Sequence, residues 1–158
     1  MTLPRRFLFL AAYAFWVGGF TFYAGVVVPL GTDVLGGRAE QALVTRVVSW
    51  YLNLTCGIAL GVFLLEWLAM RGRIRAGLWL IMFACLCVLA WMHPRLDAMF
   101  DFGAGVLDRH EFRPWHRTYL WISTVQWGAA LAFGVLTLAA WRVEDRFRRA
   151  GSTYGQPT

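Results

Sequence analysis

The chain has 158 residues, of which 59% are hydrophobic and only 15% are charged. Soluble domains usually carry about a quarter charged residues, so the composition excludes an ordinary soluble domain. The net charge of +6 is the balance of 15 basic and nine acidic residues, and all the basic ones are arginines because the chain contains no lysine. We predict an integral membrane protein whose surroundings are the lipid bilayer.

Four apolar segments follow one another along the chain, and each is close to the roughly 20 residues needed to cross a bilayer. They are Phe7–Leu30, Val47–Met70, Ala76–Met92 and Tyr119–Trp141. The first is longer than the apolar run of a typical signal peptide, about 7–15 residues, so we interpret it as a membrane helix. Lipid offers no hydrogen bonds to the backbone, so each crossing should be helical. We predict an all-α membrane protein with a single domain, residues 1–158, and helices at about 7–30, 47–70, 76–93 and 114–142.

The connection 94–113 is rich in ionisable residues: it holds three arginines, four acidic residues and one histidine. Pro94 lacks an N–H and should end the third helix, whereas Pro114 suits the first turn of the fourth. The stretch 96–102, LDAMFDF, mixes apolar and acidic residues as an interfacial half-helix does. Gly103 and Gly105 should break it. We therefore predict an outer interfacial loop at 94–113 and a short tail at 143–158.

The arginines are distributed unevenly. Nine lie in the N-terminal flank, the 71–75 connection and the C-terminal flank, whereas the other two connections hold six, matched by six acidic residues. The positive-inside rule then places both termini in the cytoplasm, in a multi-pass protein of the cell (inner) membrane. Short connections make consecutive helices antiparallel neighbours, so an up-and-down antiparallel bundle, N-in and C-in, is predicted. The charge is explained by topology, and no nucleic-acid partner is expected.

Small residues recur at helical spacing within the apolar segments. Such residues let membrane helices approach closely. The predicted packing positions are Gly18, Gly25, Gly57, Gly61 and Gly128. The same seams suit contacts with other transmembrane subunits or with a second copy in a homodimer.

Polar side chains are expensive in a membrane, and most of them fall in the predicted outer half. The candidate cluster contains Tyr23, Arg46, Asn53, His93, Arg95, Asp97, His116, Ser123 and Gln126. One interpretation is a hydrogen-bonded cluster that fixes helix packing, with Arg46 paired to Asp97. The other is a polar ligand-binding site open to the outside. In the inner half, Glu66 is expected to meet the arginines of the 71–75 connection.

His93 and His116 end one predicted helix and begin the next. Facing imidazoles can ligate a metal or a haem iron, but no His-x-x-His, Cys-x-x-Cys or Glu-x-x-His spacing is present. We therefore predict no cofactor, with a metal or bis-histidine haem at this pair as the alternative. The three cysteines lie in apolar segments and are interpreted as small hydrophobic residues.

Four stretches resemble a known family. They are FWVGGFTFYAGVVVPL in the first helix, SWYLN in the second, HPRLDAM after the third and FRPWHRTYLWISTVQW at the start of the fourth. Over most of its length the chain resembles the transmembrane protein 205-like family. The best-aligned residues are Pro94, Arg95, Phe112, His116 and Ser123; Trp115 matches an aromatic position, whereas Arg117 stands where the family has glycine. The resemblance implies a four-helix membrane protein of unassigned biochemistry, with metal or drug tolerance attached to some relatives.

No catalytic constellation is recognisable, so a non-catalytic role is predicted. The nine tryptophans and the glycine seams favour an accessory or assembly subunit of a larger energy-transducing or transport complex. The alternative is a stand-alone membrane protein that handles a small molecule or metal, or confers tolerance to it, through the outer polar cluster.

Overall fold

The structure is a computed structural model that describes residues 2–35, 39–101, 105–106 and 109–153. Its helices are α1 (residues 2–35), α2 (Ala39–Ala69), α3 (Arg73–Ala98) and α4 (Arg109–Thr153). Each contains a stretch long and apolar enough to cross a membrane. The predicted all-helical class and the four membrane-spanning segments are confirmed at this level.

Helix α1 is not regular along its length. It contains α-helical stretches joined by two π-helical turns; the α-helical stretches are Thr2–Tyr13, Gly19–Phe22 and Val28–Leu35, and the π-helical turns are Ala14–Gly18 and Tyr23–Val27. A π-helical turn inserts an extra residue and changes which side chains face a neighbouring helix, and such turns are frequent at functional sites. The second of these turns lies beside the cavity described below.

Pro94 and Pro114 both lie inside helices. The predicted end of the third helix before Pro94 and the predicted start of the fourth at Pro114 were therefore wrong. Pro94 is followed by a further turn of α3 that ends at Ala98, and Pro114 is the sixth residue of α4 rather than in its first turn. A proline removes one backbone hydrogen bond, which membrane helices tolerate when neighbours compensate. In α3 the turn after the proline is held by side chains, because Asp97 bonds Arg46 of α2.

The predicted interfacial half-helix at 96–102 was also wrong. Only its first residues belong to α3, and Phe100–Asp101 (β1) pairs antiparallel with Gly105–Val106 (β2). Gly105 therefore lies in a short hairpin, while Phe102 and Gly103 lie outside the described residues. A hairpin satisfies backbone groups between partners, so this segment needs no helix.

Helices α2 and α4 are longer than predicted. Helix α2 starts at Ala39, and α4 continues through most of the expected tail to Thr153; residues 154–158 lie outside the described part. The extension of α4 is held to α1 by charge: Arg6 donates to Asp145 at 2.7 Å and to Glu144 at 3.1 Å. Polar residues past the apolar segment thus remain helical because they have partners.

The main core is aromatic. Phe9, Phe63 and Phe133, from α1, α2 and α4, are almost completely buried. The Phe9 ring lies 5.1 Å from that of Phe63 and 6.1 Å from that of Phe133 between centroids. Trp141 meets Phe9 edge-on at 5.5 Å. Such offset and edge-to-face pairs add to the free energy of simple burial, so this cluster fixes three helices against one another.

One end of the bundle, which we call the arginine end, contains Arg5, Glu66, Arg75 and Trp141. Glu66 is 1% exposed. Its carboxylate lies 2.9 Å from the Nε of Arg5 and accepts a 2.7 Å hydrogen bond from Trp141 Nε1. The predicted pairing of Glu66 with the 71–75 arginines is seen in part: Arg5 of α1 makes the direct contact, and Arg75, 6% exposed, lies near enough to interact with the carboxylate.

The predicted glycine seams contribute little to contacts within the chain. Of the residues that the structure describes, none would lie within 4 Å of a Cβ at Gly18, Gly25, Gly61 or Gly128, and a Cβ at Gly57 would lie 3.7 Å from Leu86. The tight glycine is Gly134, which lies at the same spacing of four from Ala130: a Cβ there would come within 2.6 Å of the Tyr13 ring. The spacing rule identified helix surfaces with small residues but not which surfaces face a neighbour.

Candidate functional site

The other end of the bundle, which we call the histidine end, contains Arg46, His93, Asp97 and His116. A cavity of about 530 Å³ opens there between all four helices. Its lining includes every member of the predicted polar cluster except Arg95: Tyr23, Arg46, Asn53, His93, Asp97, His116, Ser123 and Gln126. The structure thus brings together residues that lie far apart in the sequence.

One wall joins α2 to α3 through charge. Arg46 Nε lies 2.9 Å from Asp97 Oδ1, and Asp97 Oδ2 lies 3.6 Å from His93 Nε2. The His93 ring also packs on Trp50, with 5.7 Å between centroids. The acid therefore lies between a permanent cation and an imidazole, so the arginine and the aspartate neutralise each other at the cavity wall.

A second wall joins α2 to α4 through one hydrogen bond, and a second bond within α4 lies beside it. Asn53 Nδ2 donates to the Tyr119 hydroxyl at 2.9 Å, and the Ser123 hydroxyl donates to the Tyr119 carbonyl at 2.9 Å. Since Asn53 donates to the tyrosine oxygen, the tyrosine's own proton must point elsewhere. Among the described residues it has no acceptor, so Tyr119 can donate this proton to a ligand.

The cavity floor is formed by Gln126, which is 3% exposed. Its amide nitrogen donates to the Met82 carbonyl at 3.1 Å and to Cys56 Sγ at 3.2 Å. These bonds tie α4 to α3 and α2. Gln126 therefore serves mainly to close the inner limit of the cavity, which separates the polar site from the aromatic core.

Aromatic side chains complete the lining. His116 stacks on Phe112 with 5.3 Å between ring centroids and 14° between planes. Trp16 and Phe20 line the cavity from α1. Tyr23 also lines it, and its buried hydroxyl lies beside Thr45 without a hydrogen bond of normal geometry. The cavity thus combines ring faces with a few polar groups, as ligand pockets commonly do.

Arg95 lies elsewhere. Its side chain is exposed, and its guanidinium lies 3.6 Å from the ring centroid of Trp91 and 5.7 Å from that of Trp115. Residues two apart on a helix project to nearly opposite sides, so Arg95 points away from the cavity that Asp97 lines. The cation–π contacts make Arg95 a surface anchor between α3 and α4.

Several lining residues were missed by the sequence reasoning. On α1 they recur every four positions, at Trp16, Phe20, Ala24, Val28 and Thr32, and on α2 they include Thr45 and Ser49. Residues four apart lie near one helix face, but most of these residues are apolar and look in sequence like ordinary membrane-facing positions. The spacing alone therefore did not identify them as cavity lining.

His93 and His116 both line the cavity. Within the described ranges, no group of three or more His, Cys, Asp and Glu side chains is arranged to hold a metal ion. A metal or haem held by the two histidines stays an untested alternative. The observed surroundings of the two rings are the Asp97 carboxylate for His93 and the Phe112 ring for His116.

Comparison with known proteins gives no match: no family model fits the chain, and no curated protein or solved structure is significantly similar to it. The resemblance to the transmembrane protein 205-like family therefore stays a prediction.

Proposed function

We propose that this protein spans the cell (inner) membrane as an up-and-down antiparallel bundle with both termini in the cytoplasm. Arg5 and Arg6 of α1 contact Glu144 of α4, so the first turns of α1 and the last turns of α4 share the arginine end. The positive-inside rule assigns that end to the cytoplasm. The histidine end then faces the periplasm or exterior.

We further propose that the protein binds a small molecule in the cavity at the histidine end. The observation that supports this proposal is the convergence of polar groups from all four helices on one space of about 530 Å³. Pockets for small molecules usually measure about 300–1,000 Å³. Protein interiors are otherwise close-packed, with few voids larger than a water molecule. A polar cluster that served packing alone would fill its own space.

The chemistry of the walls also favours binding over catalysis. The Arg46–Asp97 pair and the Asn53–Tyr119 hydrogen bond hold the lining side chains in fixed positions. Fixed side chains present a shaped surface to a ligand without loss of rotamer entropy on binding. We assign Tyr119 as a hydrogen-bond donor to the ligand and the stacked Phe112–His116 pair as a ring-binding surface.

The test is native mass spectrometry of the protein purified in mild detergent from its native membranes. Ser49→Trp places an indole in the cavity, and Val47→Trp is the matched control, because Val47 is 46% exposed and does not line the cavity. We expect a bound small molecule on the wild type and on Val47→Trp, and its loss from Ser49→Trp. A molecule retained by Ser49→Trp, or no bound molecule on any variant, would overturn the proposal.

A second candidate is the accessory or assembly subunit of a larger membrane complex. The observation that favours it is the open space at Gly18, Gly19 and Gly25 of α1. Small residues on a free helix surface permit close approach of another transmembrane helix, from a partner subunit or a second copy. Gly18→Leu should then release co-purifying subunits from the wild-type assembly. A small particle without stoichiometric partners would contradict this candidate.

A further inference from the structure

The cavity has a side opening between α1 and α4. Several of its lining residues are at the same time exposed on the outside of the bundle: Leu120 is 51% exposed and Val28 is 36% exposed. Ala24 and Thr124 are also exposed lining residues. All four lie within membrane-spanning segments. The cavity therefore opens sideways, toward lipid, as well as at the end of the bundle.

The inner limit of this opening is defined by a hydrogen bond. Trp127 Nε1 of α4 donates to the Thr21 hydroxyl of α1 at 2.9 Å, and Thr21 donates in turn to the Val17 carbonyl at 2.7 Å. Closer to the arginine end, α1 and α4 pack together at the first π-helical turn. The two helices thus meet between Thr21 and the arginine end, and they leave a gap between Thr21 and the histidine end.

The formal charges of the described lining residues cancel. Within the part of the chain that the structure describes, Arg46 and Asp97 are the only arginine, lysine or acidic residues that line the cavity, and they contact each other. A charged ligand would place an uncompensated charge in a partly apolar site inside the membrane, which is expensive. The lining therefore suits a neutral molecule that makes hydrogen bonds.

Ring faces surround the polar groups. Trp16 and Phe20 of α1 line the cavity together with Phe112, His116 and Tyr119 of α4. Aromatic side chains favour offset or edge-to-face contact with another ring. The free proton of Tyr119 is placed to donate to a ring oxygen. A flat ring that bears carbonyl or hydroxyl oxygens meets both requirements.

We propose that the ligand is a neutral, oxygen-bearing ring with a long apolar chain, the chemistry of an isoprenoid quinone. The ring occupies the cavity beside Tyr119, and the chain leaves between α1 and α4 into the bilayer. This inference rests on the proposed small-molecule function and specifies its ligand class. It accounts for the side opening, which a water-soluble ligand would not need.

The test uses three probes with the protein in lipid nanodiscs. Decylubiquinone has the ring and the chain, the same ring with a methyl group in place of the decyl chain lacks the chain, and hexadecanol has a chain without the ring. Binding is followed by native mass spectrometry as competition with decylubiquinone. We expect saturable binding of decylubiquinone, at least about tenfold weaker binding of the ring alone (about 1.4 kcal/mol), and no competition by hexadecanol.

Variants locate the binding mode. Ala24→Trp should block the side opening and weaken decylubiquinone binding at least about tenfold, whereas Ala11→Trp, at an exposed α1 position away from the cavity, should have no effect. Tyr119→Phe removes the hydrogen-bond donor but leaves the side opening at Ala24 unchanged, so it should weaken decylubiquinone binding several-fold.

Other results would overturn the inference in distinguishable ways. Equal binding of the ring without its chain, or full binding to Ala24→Trp, would exclude the lateral mode. Equal competition by hexadecanol would exclude ring recognition. If decylubiquinone does not bind while a different molecule is lost from Ser49→Trp, the ligand class is wrong and the small-molecule function stands; if neither is seen, both fail.

Discussion

Arg5 and Glu66, which are in contact at the arginine end, should be energetically coupled in their contributions to the free energy of unfolding. Glu66 is 1% exposed and the Arg5 side chain 25% exposed, so Arg5→Gln leaves a buried carboxylate with less compensation. Breaking a buried pair costs about 3–5 kcal/mol. Two features lower this expectation: Arg5 Nε is not aligned for a hydrogen bond to the carboxylate, and Arg75, 6% exposed, lies near enough to interact with Glu66. We expect a loss of about 2–3 kcal/mol.

Replacing Glu66 instead of Arg5 should lower the free energy of unfolding by less. In Glu66→Gln the amide oxygen can still accept the hydrogen bond from Trp141, and Arg5 keeps Glu144 as a partner at 3.3 Å. A hydrogen bond to a charged acceptor is worth about 1 kcal/mol more than one to a neutral acceptor, so a loss of about 1–2 kcal/mol is expected. The double variant should lose at least about 1 kcal/mol less than the sum of the two single variants.

The assay is the free energy of unfolding in lipid, measured by steric trapping for the wild type, both single variants and the double variant. Residues in direct contact show such non-additivity, whereas independent sites add to within about 0.5 kcal/mol. Additive losses would refute the pairing of Arg5 with Glu66. The 71–75 arginines would then be the partners to examine.

Two further predictions concern buried positions of α4. Gly134→Ala should lower the free energy of unfolding by about 1–2 kcal/mol, because the new Cβ would lie 2.6 Å from the Tyr13 ring and overpacking outweighs the gain in helix propensity. Gly128→Ala, which meets nothing within 4 Å, should be neutral or stabilising in the same assay; equal losses would contradict the close contact. Thr137→Val should stabilise by about 1 kcal/mol, since the fully buried hydroxyl has no hydrogen-bond partner among the described residues. A loss of stability would show that this hydroxyl has a partner.

The membrane-spanning segments were predictable from sequence because lipid imposes a single strong requirement, a long apolar helix. The helix ends were harder to predict. Pro94 and Pro114 are local signals for a break, but the structure of these turns depends on side chains elsewhere in the sequence. Asp97 helps to hold the turn after Pro94 through Arg46 of another helix, and no local pattern reveals that contact.

The polar part of the cavity was predictable for a similar reason. Polar residues in the membrane gather where they can satisfy one another, so their common depth implied proximity. The apolar part was not predictable, because Phe20 and Ala24 look the same in sequence whether they face lipid or a cavity. Arg95 was misplaced because depth alone does not give the direction in which a side chain points. Direction depends on helix rotation, which the contacts between helices determine.

A density map of the protein, purified from its native membranes in lipid and bound to an antibody fragment, would show directly whether the cavity holds a ligand. We expect density for a non-protein molecule at the histidine end, within hydrogen-bond distance of the Tyr119 hydroxyl and extending past Ala24 toward lipid. A closed bundle in which Phe20 packs against Leu120, with no space between the four helices, would contradict it.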